Sequence, residues 1–231
     1  MKKQVLDNPM QNQEKQNVNI NKATMYFVIV VGLLVACYIT SNVMSVKILN
    51  IFNIPFLDNG TIIFPITYML GDVLTEIWGF KTARKVIFLT LFCNIFFIAF
   101  TSLGIILPTS TDAQVISDAY KTVFLQTPRI LGASLIAFIV GEFSNSFVLE
   151  KIKQKTKGKF LWLRTIGSSV VGHFLDTTIF LLIAFVGVVE FKELLVMILI
   201  QYIIKLGIEA LCATPFAYLI INKIKKHINK E

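Results

Sequence analysis

Six stretches of this 231-residue chain are apolar almost without interruption. They cover residues 24–46, 62–80, 86–107, 130–149, 166–189 and 194–221, each near the roughly 20 residues a helix needs to cross about 30 Å of hydrocarbon. None alternates in and out like a barrel strand, and in lipid only a helix or a closed barrel satisfies every backbone N–H and C=O. The pattern predicts an all-α integral membrane protein, a six-transmembrane-helix bundle within residues 23–222. Residues 1–22 are polar and rich in Asn and Gln, and are expected to form a disordered tail. Residues 223–231 read as a second, basic tail, so no soluble domain is left.

A hydrophobic share of 55% is too high for a soluble domain of this size. The formal charge of +8 is unevenly placed. Of the 22 Lys and Arg, 17 lie in the two tails and in the connections around residues 81–85 and 151–164. The opposite connections hold Lys47, Lys121, Arg129 and Lys192, and Lys205 lies inside the sixth stretch. By the positive-inside bias both termini are expected in the cytoplasm, and the basic residues face anionic lipid head groups, not nucleic acid. Cys37, Cys93 and Cys212 stand singly in different spans and read as small packing residues. The run from Leu34 to Cys37 looks like a lipoprotein cleavage box. Its apolar stretch continues to Val46, however, behind a long tail carrying Asp7 and Glu14, so it is read as a permanent span.

Against this background the ionisable residues within the spans stand out: Asp72, Glu76, Glu142, Asp176, Lys205 and Glu209. Charges inside a bilayer are costly and mark function by default. At about 1.5 Å per residue, Asp72, Glu142, Asp176 and Lys205 each fall about 15–18 Å from an end of their spans. Four helices thus bring a charge near the midplane, where transporters bind cargo. Asp72 and Glu76 share a face, as do Lys205 and Glu209, while His173 and Asp176 are three apart; Glu142, Asn145 and Ser146 form one stripe. The run from Ser168 to Gly172 is a small-residue contact face. Five acids against one internal lysine and one histidine leave excess negative charge. Some acids therefore hold a proton, or the site takes a cation or a donor-rich neutral molecule, and an anionic cargo fits worst. Glu142 and Glu76 are candidate carriers of a coupling proton.

The segment from Phe64 to Arg84 adds a signature. A Pro-hydrophobic-Thr entry (Pro65, Thr67) precedes the Asp72-x-x-x-Glu76 pair, then Trp78-Gly79 and a Lys81-x-x-Arg84 cap. This closely resembles the hallmark of the queuosine precursor transporter family, earlier described as vitamin uptake transporters, with Trp78 in place of the more usual tyrosine. The resemblance continues through Asn42 and Lys47, Gly141-Glu142-Phe143-x-Asn145, Gly172-x-x-x-Asp176 with Phe180, and Lys205 with Glu209 and Pro215. It implies a bacterial cytoplasmic-membrane protein that imports 7-deazaguanines such as the cyano and aminomethyl forms, as a secondary transporter or facilitator. It implies a substrate site drawn from Asp72, Glu76, Glu142, Asn145, Asp176 and Asn42, with Lys205, Glu209 and His173 in coupling or switching. A carboxylate can accept the N1–H and exocyclic amine of a guanine-like edge together, which suits Asp72 or Glu142. Asn42 or Asn145 can read the opposite edge, and Phe143, Phe180 or Trp78 can stack on the ring. Lys205 and Glu209 form either a fixed bridge or a pair that exchanges partners, engaging Asp176, with Gly207 and Pro215 as the flexible point.

An alternative is the substrate-binding subunit of an energy-coupling vitamin transporter, whose ATPase would be a separate chain. An intramembrane enzyme is not expected: His173 and His227 cannot make a His-Glu-x-x-His helix, and no nucleophile turn is present. No cofactor or metal is called for. The expected partners are the small-molecule substrate and the lipid bilayer, with a homodimer open. The 108–128 connection carries Asp112, Asp118 and Tyr120 and is read as a lid or a plain link.

Overall fold

The computed structural model describes residues 9–51, 54–125 and 128–228. In chain order the elements are α1 (Pro9–Met44), β1 (Ile48–Ile51), β2 (Ile54–Asp58), α2 (Gly60–Trp78), α3 (Phe80–Ile106), α4 (Gln114–Phe124), α5 (Pro128–Lys155), α6 (Leu161–Phe185), α7 (Phe191–Ile208) and α8 (Thr214–Ile228). A π-helical turn, Glu209–Ala213, joins α7 to α8. Six helical segments are long and apolar enough to cross a membrane: Lys22–Met44 of α1, α2, α3, most of α5, α6, and the α7–α8 composite. The six expected spans are present. Of the expected N-terminal tail, residues 1–8 lie outside the described residues, while the backbone from Pro9 is part of α1. At the other end α8 carries helix to Ile228.

Six passes bring the two termini to one end of the bundle, here the terminal end. The opposite end carries the antiparallel β1–β2 hairpin, which the hydrophobic pattern did not announce, and α4. Helix α4 is docked on α3: Tyr120 donates from its hydroxyl to the Thr101 carbonyl at 3.3 Å. At the same end Arg129 donates to the Ile183 and Val186 carbonyls, both at 2.5 Å, satisfying backbone acceptors exposed where α6 stops.

Helix α2 is the axis of the fold. Its best membrane-crossing stretch is 72% buried, against 22% for those of α1 and α3, and it packs against α1, α3, α5, α7 and α8. A helix surrounded by protein need not be apolar all round, and α2 is the least apolar of the six. The outer helices instead turn Phe92, Phe96, Phe100, Leu199, Ile203, Phe216 and Leu219 outward; in a bilayer such surfaces face acyl chains. The apolar core gathers Leu34 of α1, Leu70, Val73 and Leu74 of α2, Val86 of α3 and Ala217 and Ile221 of α8.

Two backbone features set the geometry of the interior. Gly79 alone links α2 to α3, at φ 80° and ψ 162°, where a side chain would be strained. It donates to the Thr75 carbonyl and accepts from Thr82 and Ala83, closing one helix and opening the next. The π turn precedes Pro215, whose missing N–H and bulky ring disturb the helical ladder; widening by one residue absorbs the disturbance without ending the span.

Candidate functional site

The buried polar residues form three levels along the bundle axis. The first is a cleft in the hairpin-end half, lined by Asn42, Phe64, Ser134, Asp176, Phe180 and Lys205 among others. Helix α6 supplies Asp176 and Phe180 one turn apart, α7 supplies Lys205 and Gln201 one turn apart, and α2 supplies Phe64. Lys205 Nζ donates to Asp176 Oδ2 at 2.8 Å and to Thr177 Oγ1 at 3.2 Å, and lies 4.7 Å from the centre of the Phe64 ring. Asn42 bridges helices, donating to Asn94 Oδ1 and accepting from Ser134 Oγ, each at 3.1 Å. The cleft thus carries an aromatic ring on two helices, amides, and an ion pair on its lining.

Below the cleft lies a closed layer containing Tyr68, Asp72, Glu142, Asn145, His173 and Glu209, all at most 2% exposed. Asn145 Nδ2 donates to Asp72 Oδ1 at 2.8 Å. The Tyr68 ring is tilted on the His173 imidazole with centres 4.2 Å apart, and its hydroxyl donates to the Gly172 carbonyl at 3.3 Å. Glu209 accepts from Ser169 at 3.2 Å and has His173 Nε2 3.5 Å from its other oxygen. That second contact is close enough for attraction, but it does not meet hydrogen-bond geometry, and both His173 nitrogens lack a hydrogen-bond partner among the described residues. Both oxygens of Glu142 and Oδ2 of Asp72 lack one as well. The layer is reached by close backbone approach. A methyl on Gly172 would come within 2.7 Å of Asn145 Cβ and 3.2 Å of the Gly141 carbonyl, and one on Gly71 would fall on the Glu142 carboxylate. These glycines let α5 meet α6 and α2 without a side chain between.

The third level closes the terminal end. Glu76, in the last turn of α2, faces Arg164 of α6 at 3.2 Å, Lys153 of α5 at 3.6 Å and Lys225 of α8 at 2.6 Å. Lys153 also donates to the Glu76 carbonyl at 2.6 Å. One carboxylate therefore ties together four helices.

The structure thus distributes the residues singled out in the sequence. Asn42, Asp176 and Lys205 meet at the cleft; Asp72, Glu142, Asn145, His173 and Glu209 share the closed layer; Glu76 stands apart in the terminal cluster. Lys205 reaches across to Asp176 and not to Glu209, although the Glu209 N–H still bonds to the Lys205 carbonyl and the π turn begins only after that helical step. Of the three aromatic candidates, Phe180 lines the cleft. Phe143 packs edge-on against Phe80 at 5.1 Å, and Trp78 against Phe27 at 5.3 Å. Phe64, Gln201, Ser134 and Asn94 were not singled out. Gln201 stands one helical turn before Lys205, and Phe64 two turns before Asp72, on the faces those charges mark.

A helical membrane bundle whose charges are held inside, with a cleft carrying an ion pair and amides on its lining, is the architecture of a multi-pass membrane transporter. The comparisons agree. The chain belongs to the family described as "putative vitamin uptake transporter", whose model matches residues 58–220. It is 29% identical over 181 residues to a "probable queuosine precursor transporter" of Bacillus subtilis, covering 78% of each chain. It is also 29% identical over 126 residues to a protein of the same description from Haemophilus influenzae, covering 54% of this chain and 51% of the relative. No solved structure matches the chain. The protein is a multi-pass bacterial membrane transporter and its family is not one of enzymes.

Proposed function

We propose that this transporter imports queuosine precursors, 7-deazaguanines such as the cyano and aminomethyl forms, across the cytoplasmic membrane with both termini inside, and that its cargo enters through the hairpin-end cleft. The relatives' descriptions supply the substrate class. The observation that carries the reading to particular residues is the lining of the cleft. Phe64 and Phe180 offer faces for a flat ring, Asp176 is an acceptor for a guanine-like donor pair, and Asn42 and Gln201 are amides able to read both donors and acceptors. Asp176 is already engaged by Lys205 at 2.8 Å. A cargo offering two donors would compete for that carboxylate and loosen Lys205, linking occupancy of the cleft to the α6–α7 contact. Asp72 and Asn145, one level deeper, are the next polar pair the cargo would meet.

The test is the queuosine content of tRNA in bacteria that neither make nor import the precursor, supplied with traces of the cyano form. Cells expressing the native chain regain queuosine; cells expressing an equally abundant Asp176→Ala or Asp72→Ala chain do not. If abundant native protein restores nothing, the cargo differs or a partner module is required.

A further inference from the structure

Between the cleft and the terminal cluster lies a charge imbalance that the transport reading leaves unused. At the cleft Asp176 is matched by Lys205, and at the terminal end Glu76 is matched by Arg164, Lys153 and Lys225. The closed layer holds Asp72, Glu142 and Glu209, and among the described residues the basic group within it is His173. The surroundings of Glu142 supply no compensation. Helix α2 presents Tyr68 and Asp72, α6 presents His173 and Asp176, and the π turn presents Glu209. Lys205 of α7 is committed to Asp176, the α3 cations Lys81, Arg84 and Lys85 lie in its first turns, and α1 has no charged residue between Lys22 and Lys47.

Extending the import reading, we infer that Glu142 is a proton-binding site, the carboxyl that takes up and releases the proton coupled to uptake. Its two oxygens are fully buried without a donor, whereas Asp72 is at least held by Asn145. A carboxylate so placed would bear the cost of desolvation without a hydrogen bond in return, so the closed layer holds Glu142 as the acid. The alternative ion is a hard cation such as sodium, which also takes oxygen ligands, and it is told from a proton by which gradient drives accumulation. The step is a simple proton transfer. When the transport cycle wets the layer, the Glu142 O–H bond breaks, the proton passes to water, and the carboxylate that remains is reprotonated from the other side before the layer closes.

Two measurements on the full chain test this, one without any cargo. Infrared difference spectra of the purified protein at neutral pH carry the C=O stretch of a buried protonated carboxyl, and E142Q loses its intensity. In proteoliposomes, an imposed inward proton gradient of one pH unit drives accumulation of the cyano form, up to about tenfold per proton carried. E142Q keeps the melting temperature and size-exclusion profile of the native chain, which shows that it is folded, and loses the gradient-driven accumulation. An unchanged carboxyl band in E142Q, or accumulation by E142Q equal to the native chain, overturns the inference. Native counterflow without gradient-driven accumulation overturns it while leaving the cargo assignment intact; absence of native counterflow overturns the cargo assignment, and the infrared band then decides the proton site alone.

Discussion

Lys205 Nζ stands 2.8 Å from Asp176 Oδ2, a contact that joins α7 to α6 at the lining of the cleft, while Glu209, four residues after Lys205, faces His173 instead. Both members of the pair are buried. Removing one charge leaves the other uncompensated in a dry interior, which costs about 3–5 kcal/mol in comparable cases, whereas replacing both by apolar groups of similar volume is often neutral. Lys205→Met and Asp176→Leu are therefore each expected to destabilise the detergent-solubilised protein by an amount of that order. The double variant regains most of the loss. Denaturant unfolding of the four proteins gives the cycle, and uptake by the double variant stays absent if the pair serves transport and not only stability.

The terminal cluster separates its three cations by exposure. Arg164 is 2% exposed in its side chain and Lys225 is 44% exposed, although Lys225 makes the shorter contact with Glu76. Solvent screening weighs more than distance here. Lys225→Ala is expected to cost no more than about 1 kcal/mol, and Arg164→Ala about 1.5–3 kcal/mol, because it removes the buried partner of Glu76 and leaves two more exposed lysines. Comparable losses from the two variants in unfolding measurements would show that the cluster is wetter than its burial implies.

Much of this bundle was legible in the sequence, since apolar runs of membrane length report helices directly and the Lys and Arg bias sorts their connections. The charged positions were legible for the same reason, as each interrupts an apolar run. Their partners were not. Glu76 and Asp72 lie on one face of α2, yet the four-residue step of about 6 Å carries Glu76 from the closed layer to the cations of α5, α6 and α8. Lys205 and Glu209 have the spacing of a helical pair, yet each finds its partner on α6, Asp176 for the lysine and Ser169 and His173 for the glutamate, which helical spacing alone does not report. Phe64 escaped notice because in a chain with 20 phenylalanines the side of the helix decides which ring lines a cleft. The hairpin of β1 and β2 escaped because two strands of four and five residues leave no periodic signal between long apolar runs.

The glycines make a contrasting pair of expectations. A methyl on Gly141 would run into the Tyr68 hydroxyl, Asp176 Cβ at 2.7 Å and the Gly172 carbonyl at 3.1 Å, so Gly141→Ala forces α5 away from α6 and α2. A loss of about 1–3 kcal/mol is expected from such overpacking, together with impaired uptake, since the shift would disturb the closed layer. Gly207 has nothing within 4 Å of an added methyl and lies inside α7. Gly207→Ala is expected to leave stability unchanged or raise it by up to about 1 kcal/mol through helix propensity. If that variant folds well and yet transports slowly, the freedom of the helix before the π turn is needed for the cycle, which a side-by-side comparison of melting temperature and uptake rate would reveal.

The two rings of the cleft can be told from the many rings of the core by what their removal does. Phe64 and Phe180 line the cleft on α2 and α6, whereas Phe143, though it lies beside Glu142 in the sequence, packs on Phe80 of α3. Stacking of a base on an aromatic ring is worth about 1–3 kcal/mol, so loss of either cleft ring is expected to weaken binding of the cyano-deazaguanine by about 5- to 150-fold. The effect should appear in the half-saturating concentration for uptake. Phe180→Leu preserves most of the buried volume and removes the flat face, which isolates stacking from packing. Phe143→Leu is the control for a ring used only in packing, and its half-saturating concentration should stay near the native value. A Phe143 variant that loses affinity while Phe64→Leu and Phe180→Leu retain it would place the cargo deeper than the cleft, against Glu142 itself.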